Sequence, residues 1–179
     1  MKMSCPYCYS AKSRPLSFGE RQMAISVFGD ALKLDDIRLK TAWWVIQGYA
    51  VSPNGHVYFH PKDFCEDFSS QHLMKRAWLI HELVHVWQVQ QDIRVFWRAI
   101  LSRRYRYRWI QGKAFLRYGI EQQARMVEDF YIRRECGKNC DKWYECVPFL
   151  SREIKSTQCF KIDKLRLPNP FANSNRYQT

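Results

Sequence analysis

Hydrophobic and polar positions change rhythm several times along this chain. From Ser17 the apolar residues keep helical spacing through Met23, Ala24, Val27 and Phe28. Ser17-Phe18-Gly19-Glu20 reads as a capping box: the serine side chain caps the helix start and the glutamate reaches back to the serine amide. Gly29 supplies the stop. From Ile37 to Phe59 aromatic and β-branched residues take over. Trp43 to Val51 and His56 to Phe59 read as two strands, joined by the turn Ser52-Pro53-Asn54-Gly55 and ended before Pro61. The expected product is a small antiparallel hairpin.

Helical spacing returns from about Ser70 to Gln90. Asp92 to Gln111 reads as a second helix of this half, rich in arginine and tyrosine. Gly119 to Arg134 reads as a third, with Ile120, Ala124, Val127 and Tyr131 on one face. Cys136 to Cys146 reads as a polar loop. Residues 1–16 read as an irregular arm and 166–179 as a loose tail, which leaves one domain over 17–165. The expected fold class is α+β, mainly helical, with a small antiparallel sheet ahead of the long central helix.

That central helix contains Leu-Ile-His-Glu-Leu-Val-His-Val-Trp-Gln, Leu79 to Gln88. It is apolar nearly all round, so it is expected to be buried. Two histidines and a glutamate inside a buried helix need partners. One reading is core histidines bonded to backbone, with Glu82 paired to an arginine. The other is a metal. His81 and His85 are four apart and share a face. Both can reach one tetrahedral zinc ion at about 2.0–2.1 Å. Glu82 lies roughly 100° round the helix from His81. It misses the ion and is placed to take a proton from a water that zinc has made acidic. The spacing is that of the H-E-x-x-H hydrolases, and the metal reading is preferred.

A catalytic zinc needs a third protein ligand. No histidine follows His85, so the ligand is a carboxylate or an upstream histidine. The helix from Gly119 offers Glu121, Glu128 and Asp129. Ala124, one turn beyond Glu121, allows close packing on the motif helix, and Glu121 is the preferred ligand. Glu128 is the second choice, or otherwise a partner that orients a ligand histidine. The alternative for Glu121 is a plain helix-start carboxylate favoured by the dipole. Tyr58 and His60 are near enough in sequence to stabilise an oxyanion, as are Tyr118 and Tyr131. A substrate peptide is expected to add as a strand along His56 to Phe59.

Composition narrows the partners. The chain has 179 residues, 46% of them hydrophobic, and carries a formal net charge of +12. That is a globular composition with a surface suited to anionic partners. Between Ile93 and Ile120 lie eight arginines or lysines and no acid, with aromatics interleaved in Arg103 to Trp109. A nucleic-acid groove would look like this. So would a plain exposed amphipathic helix whose aromatics pack inward, or a surface for a cell-wall polymer or a partner protein, and these readings are preferred over nucleic acid. The seven cysteines include Cys5-Pro6-Tyr7-Cys8, which with Cys136 and Cys140 would be a loose four-cysteine set. Plain thiols or later disulfides are preferred to a second zinc. The chain shows no secretory leader and no membrane span, so it is expected to be made in the cytoplasm.

These residues also carry a resemblance. His-Glu-Leu-Val-His with a downstream helical glutamate resembles the gluzincin branch of zinc metallopeptidases. Gly55 to Pro61, Leu79 to Gln88 and Tyr118 to Ala124 together resemble small metallopeptidase-like bacterial proteins encoded near Vgr and Rhs elements and linked with type VI secretion. The similarity covers roughly Ser17 to Arg134 and leaves out the N-terminal arm and the cysteine-rich end. It implies a minimal zincin fold and a zinc-dependent hydrolase exported by type VI secretion as an effector or toxin into a target cell. His81, His85 and Glu121 would be the zinc ligands and Glu82 the base. The substrate would be a protein or the peptide of peptidoglycan. A Vgr-type carrier and a cognate immunity protein would be its partners. Two other readings stay open. One is a DNA-associated protease resembling the SprT-like group, which uses a third histidine absent here. The other is a non-catalytic zinc-containing protein that grips a partner.

Overall fold

The structure, a computed structural model, describes residues 11–93 and 106–151. In chain order it contains β1 (Ser13–Pro15), α1 (Phe18–Phe28), β2 (Arg38–Thr41), β3 (Ala50–Val51), β4 (Val57–Phe59) and α2 (Leu73–Gln90). A 3-10 turn (Phe115–Arg117), α3 (Ile120–Glu135) and α4 (Asp141–Cys146) follow. The described residues thus form four α-helices and one mixed four-stranded sheet, a mixed α/β arrangement that agrees with the α+β expectation.

Local signals explain the helix ends. Ser17 accepts a hydrogen bond from the Glu20 amide, and the Glu20 side chain accepts one from the Ser17 amide. Gly29 closes α1 with φ of 53°, a value that costs a residue with a Cβ more than it costs glycine. Glu20 does more than cap. It is fully buried and also accepts from both terminal nitrogens of Arg14, at 2.7 and 2.8 Å, and from the Phe68 amide at 2.7 Å. One carboxylate therefore ties β1, α1 and the loop before α2 together.

The sheet order is β1-β2-β4-β3. β1 and β2 are antiparallel, with Arg14 opposite Leu39; β2 and β4 are parallel, with Lys40 opposite Tyr58; β3 and β4 are antiparallel, with Val51 opposite Tyr58. The hairpin is present as β3 and β4, but its first strand is far shorter than Trp43 to Val51. Trp43 and Trp44 are exposed turn residues, and Gly48 at φ of 83° turns the chain back towards the sheet. Two further expectations are corrected. Ser13 to Pro15, read as part of an irregular arm, is an edge strand, so the sheet is mixed and larger than one hairpin. Cys136 to Cys146, read as a loop, contains α4, which Trp143 anchors by donating from its indole to the Met126 carbonyl at 2.8 Å.

The core lies between the sheet, α1, α2 and α3. Every residue from Leu79 to Gln88 is buried, which matches a helix apolar on all sides. Helix α2 packs chiefly on α3, where Ala124 is fully buried, as close approach of the two helices requires. The helix expected over Asp92 to Gln111 lies largely outside the described residues. Within them, Asp92 ends the turn after α2 at φ of 55°, and 106–110 have no regular structure. Cys5, Cys8, Cys159 and the tail are likewise outside the described residues. Cys65, Cys136, Cys140 and Cys146 are free thiols. Among the described residues no helix is long and apolar enough to cross a membrane.

Candidate metal centre

Helices α2 and α3 bring together the three side chains singled out as ligands. His81 and His85 project from α2 and Glu121 from the first turn of α3. Glu121 Oε2 lies 3.5 Å from His81 Nε2 and 3.4 Å from His85 Nε2. Ligand atoms of all three residues fall within 4.8 Å of one another. Atoms bound tetrahedrally at about 2.0–2.1 Å from one ion are roughly 3.3 Å apart, so the donor set fits a zinc-sized cation.

The rings are held by their other nitrogens. His81 Nδ1 lies 3.0 Å from Glu128 Oε2. His85 Nδ1 lies 2.9 Å from Gln88 Oε1. The amide of Gln88 cannot be turned round, because its Nε2 donates to the Ile120 carbonyl and to Gln123 Oε1. Gln123 is fixed in turn by donating from its own Nε2 to the Tyr118 carbonyl. Gln88 must therefore accept from His85 Nδ1–H, which leaves Nε2 as the atom turned towards Glu121 and available to a cation. Glu128 holds His81 in the same sense, the arrangement usual behind metal-binding histidines.

Burial makes this cluster a site for positive charge. Both histidines, Glu82, Glu121 and Glu128 are buried. Burial works against a charge on His81, but hydrogen bonds to Glu121 and Glu128 and the nearby Glu82 outweigh it and raise its pKa to about 10. Burial likewise raises Glu121, but its bonds to the two histidines prevail and bring it down to about 2. A proton on His81 and a bound cation are alternative ways to neutralise the same carboxylates.

Glu82 stands beside the triad, and its Oε2 accepts a 2.9 Å hydrogen bond from Ser52 Oγ, itself buried in the β3–β4 turn. The cluster opens into a cleft of about 1060 Å³. Its walls are the stretch Gly48 to Pro53 with Trp44, then Trp78 of α2, Arg125, Glu128 and Asp129 of α3, and Arg106, Tyr107, Trp109 and Lys142. Arg125 bonds Glu128 at 3.0 Å and Asp129 at 3.0 Å, and Tyr107 donates to Asp129 at 2.9 Å. A continuous polar chain thus runs from His81 to the aromatic wall.

Other candidates lie elsewhere. Tyr58 and His60 are not among the cleft-lining residues. The Tyr58 hydroxyl accepts from Asn54 Nδ2, and His60 Nδ1 accepts from the Lys62 amide. Tyr118 is buried and its hydroxyl binds the Ile110 backbone. Tyr131 is buried, and burial, with the charge of Glu135, raises its pKa to about 12. The expected docking of a strand along His56 to Phe59 also changes. β4 is paired on both sides, so its ladder is taken, whereas β3 is an edge strand and both its residues line the cleft. Sequence reasoning missed Ser52, Gln88, Gln123, Tyr107 and Arg125. Only Gln88 carried a signal, being three residues from His85 on the same helix face.

No known family model matches the chain. It is 34% identical over 133 residues to the type VI secretion system spike protein VgrG2b of Pseudomonas aeruginosa. The match takes in 68% of this chain and 13% of that much longer protein. The solved structure of the effector domain of VgrG2b superimposes with a TM-score of 0.63 at 33% identity, over 69% of this chain and 76% of that domain. About two thirds of this chain and three quarters of that domain are therefore shared in shape at 33% identity, and the chain belongs to the family of the VgrG2b effector domain.

Proposed function

We propose that the protein is a zinc-dependent hydrolase of amide bonds, built on a gluzincin-like site and exported by type VI secretion as an effector. The convergence of His81 Nε2, His85 Nε2 and Glu121 Oε2 beside Glu82, at the base of a large cleft, carries the reading. A zinc ion bound there would supply Lewis acidity and bring the pKa of a coordinated water towards about 7.

The chain's own residues supply the rest. Glu128 and Gln88 orient the two imidazoles so that both Nε2 atoms face the same point. Ser52 holds one oxygen of Glu82 and leaves the other to take a proton from water and pass it to a leaving amine. The edge of β3 offers backbone groups to an extended peptide lying along the cleft. Trp78, Tyr107 and Trp109 give that cleft apolar walls.

Kinship with the VgrG2b effector domain supports delivery into a target cell. On this reading the substrate is a protein or the peptide of peptidoglycan, a Vgr-type spike is the carrier, and a cognate immunity protein guards the producing cell. The test joins metal analysis to hydrolysis. Purified protein should hold about one zinc per chain and cleave members of a proteome-derived peptide library or purified peptidoglycan peptides. Glu82→Gln should keep the zinc and lose the cleavage. A protein that binds no zinc after reconstitution refutes the reading. One whose toxicity in cells survives Glu82→Gln is a non-catalytic gripping module instead.

A further inference from the structure

The proposed hydrolase reading leaves the substrate class open, and the charges of the cleft bear on it. Each carboxylate lining the cleft is already committed. Glu82 accepts from Ser52, Glu121 faces the two histidines, Glu128 bridges His81 and Arg125, and Asp129 binds Arg125 and Tyr107. Of the three lining cations, Arg125 is spent on Glu128 and Asp129. Arg106 and Lys142 are different. Both are exposed, both line the cleft, and neither has a carboxylate partner among the described residues.

These two cations belong to one wall. The Lys142 ammonium sits over the rings of Trp109 at 4.9 Å and Trp143 at 4.4 Å. Trp109 is in the same short segment as Arg106, and that segment is pinned to α3 through the Arg106 carbonyl, which accepts from Gln122 Nε2 at 2.9 Å. The Lys142 head is therefore held in place by aromatic faces while its donors stay open to a ligand.

We propose that the Arg106–Lys142 wall is a specificity subsite that binds carboxylate side chains of an acidic peptide substrate, next to the hydrolytic centre. The proposal rests on the cleft being where substrate lies. It goes beyond the chain's overall positive charge, because it assigns the selection to two residues.

The experiment is a binding measurement on zinc-loaded Glu82→Gln protein, in which cleavage does not interfere. The probes are a fluorescein-labelled peptide of alternating alanine and glutamate and its counterpart of alternating alanine and glutamine, compared by anisotropy at physiological salt. The glutamate peptide should bind about tenfold more tightly or better. Adding Arg106→Gln and Lys142→Gln should erase the difference. Adding Lys33→Gln and Lys138→Gln instead, two exposed lysines outside the cleft, removes the same formal charge and should leave the difference in place. Equal binding of the two peptides, or the same loss in both double variants, overturns the subsite. Charge selection that persists in a protein found unable to hydrolyse any amide would refute the hydrolase and leave the subsite standing.

Discussion

Glu128 Oε2 lies 3.0 Å from His81 Nδ1, on the side of the ring opposite to Glu121, which faces Nε2 at 3.5 Å. The two acids of α3 therefore play different parts despite a spacing that puts them on nearly the same helix face. On the proposed reading Glu121 belongs to the ligand set and Glu128 orients a ligand. Glu121→Ala should abolish stoichiometric zinc binding. Glu128→Gln keeps the shape but weakens the acceptor, and should lower zinc affinity roughly 10–100-fold without abolishing it. Competition with a chelator of known affinity reads both. Equal losses in the two variants would contradict the division of roles.

Ser52 and Glu82 form the second pair to test. Glu82→Gln should leave zinc bound and reduce turnover by about 10²–10⁴-fold, the range of a lost general base. Ser52→Ala removes a single hydrogen bond to one carboxylate oxygen, so its effect should be smaller, about tenfold. If Ser52→Ala were as damaging as Glu82→Gln, Ser52 would be doing more than holding the base in place.

The parts of the fold that could be read from sequence were those with local causes. Helix α1 announced itself by its capping box and Gly29, and α2 and α3 by long stretches of helical spacing. The pair His81 and His85 needed only the rise of one helical turn. The misread parts depended on tertiary context. Trp43, Trp44, Ile46 and Tyr49 have strand-forming composition, yet they are exposed, and Gly48 turns their segment away from the sheet. β1 is three residues ending in proline, invisible until β2 pairs with it. Tyr58 and His60 are close to the motif in sequence, but the sheet carries β4 into its interior and gives the cleft to β3. Ser52 reaches Glu82 only because the β3–β4 turn packs against α2, and nothing in its own neighbourhood says so.

Zinc binding should release protons. In the metal-free protein the carboxylates raise the His81 pKa to about 10, so the ring is protonated at neutral pH. A metal ligand must be neutral imidazole, and zinc therefore displaces that proton. Glu121, brought down to about 2, is already ionised and contributes none. At least one proton per zinc, that of His81, is expected near pH 7–8, with a coordinated water adding a further fraction as it ionises and apparent affinity rising as pH rises towards 10. Calorimetry in buffers of differing ionisation heat counts the protons directly. Zinc binding with no proton release would show that His81 is already neutral in the metal-free protein.

The buried Glu20 should matter for stability and leave the site chemistry alone. Its carboxylate accepts from Arg14 at 2.7 and 2.8 Å, from the Ser17 amide at 2.8 Å and from the Phe68 amide at 2.7 Å. Arg14 is itself largely buried. Glu20→Ala strands a cation and two backbone amides, and breaking such a buried pair costs about 3–5 kcal/mol. For a domain of this size that is a fall in Tm of roughly 10 °C, measurable by differential scanning calorimetry. Glu20 does not line the cleft, so the folded fraction of Glu20→Ala should bind zinc at the wild-type ratio. A variant with unchanged Tm would show that Arg14 and the amides find other partners. Zinc loss without a change in Tm would place Glu20 in the metal site after all, against a geometry in which it joins β1, α1 and the approach to α2.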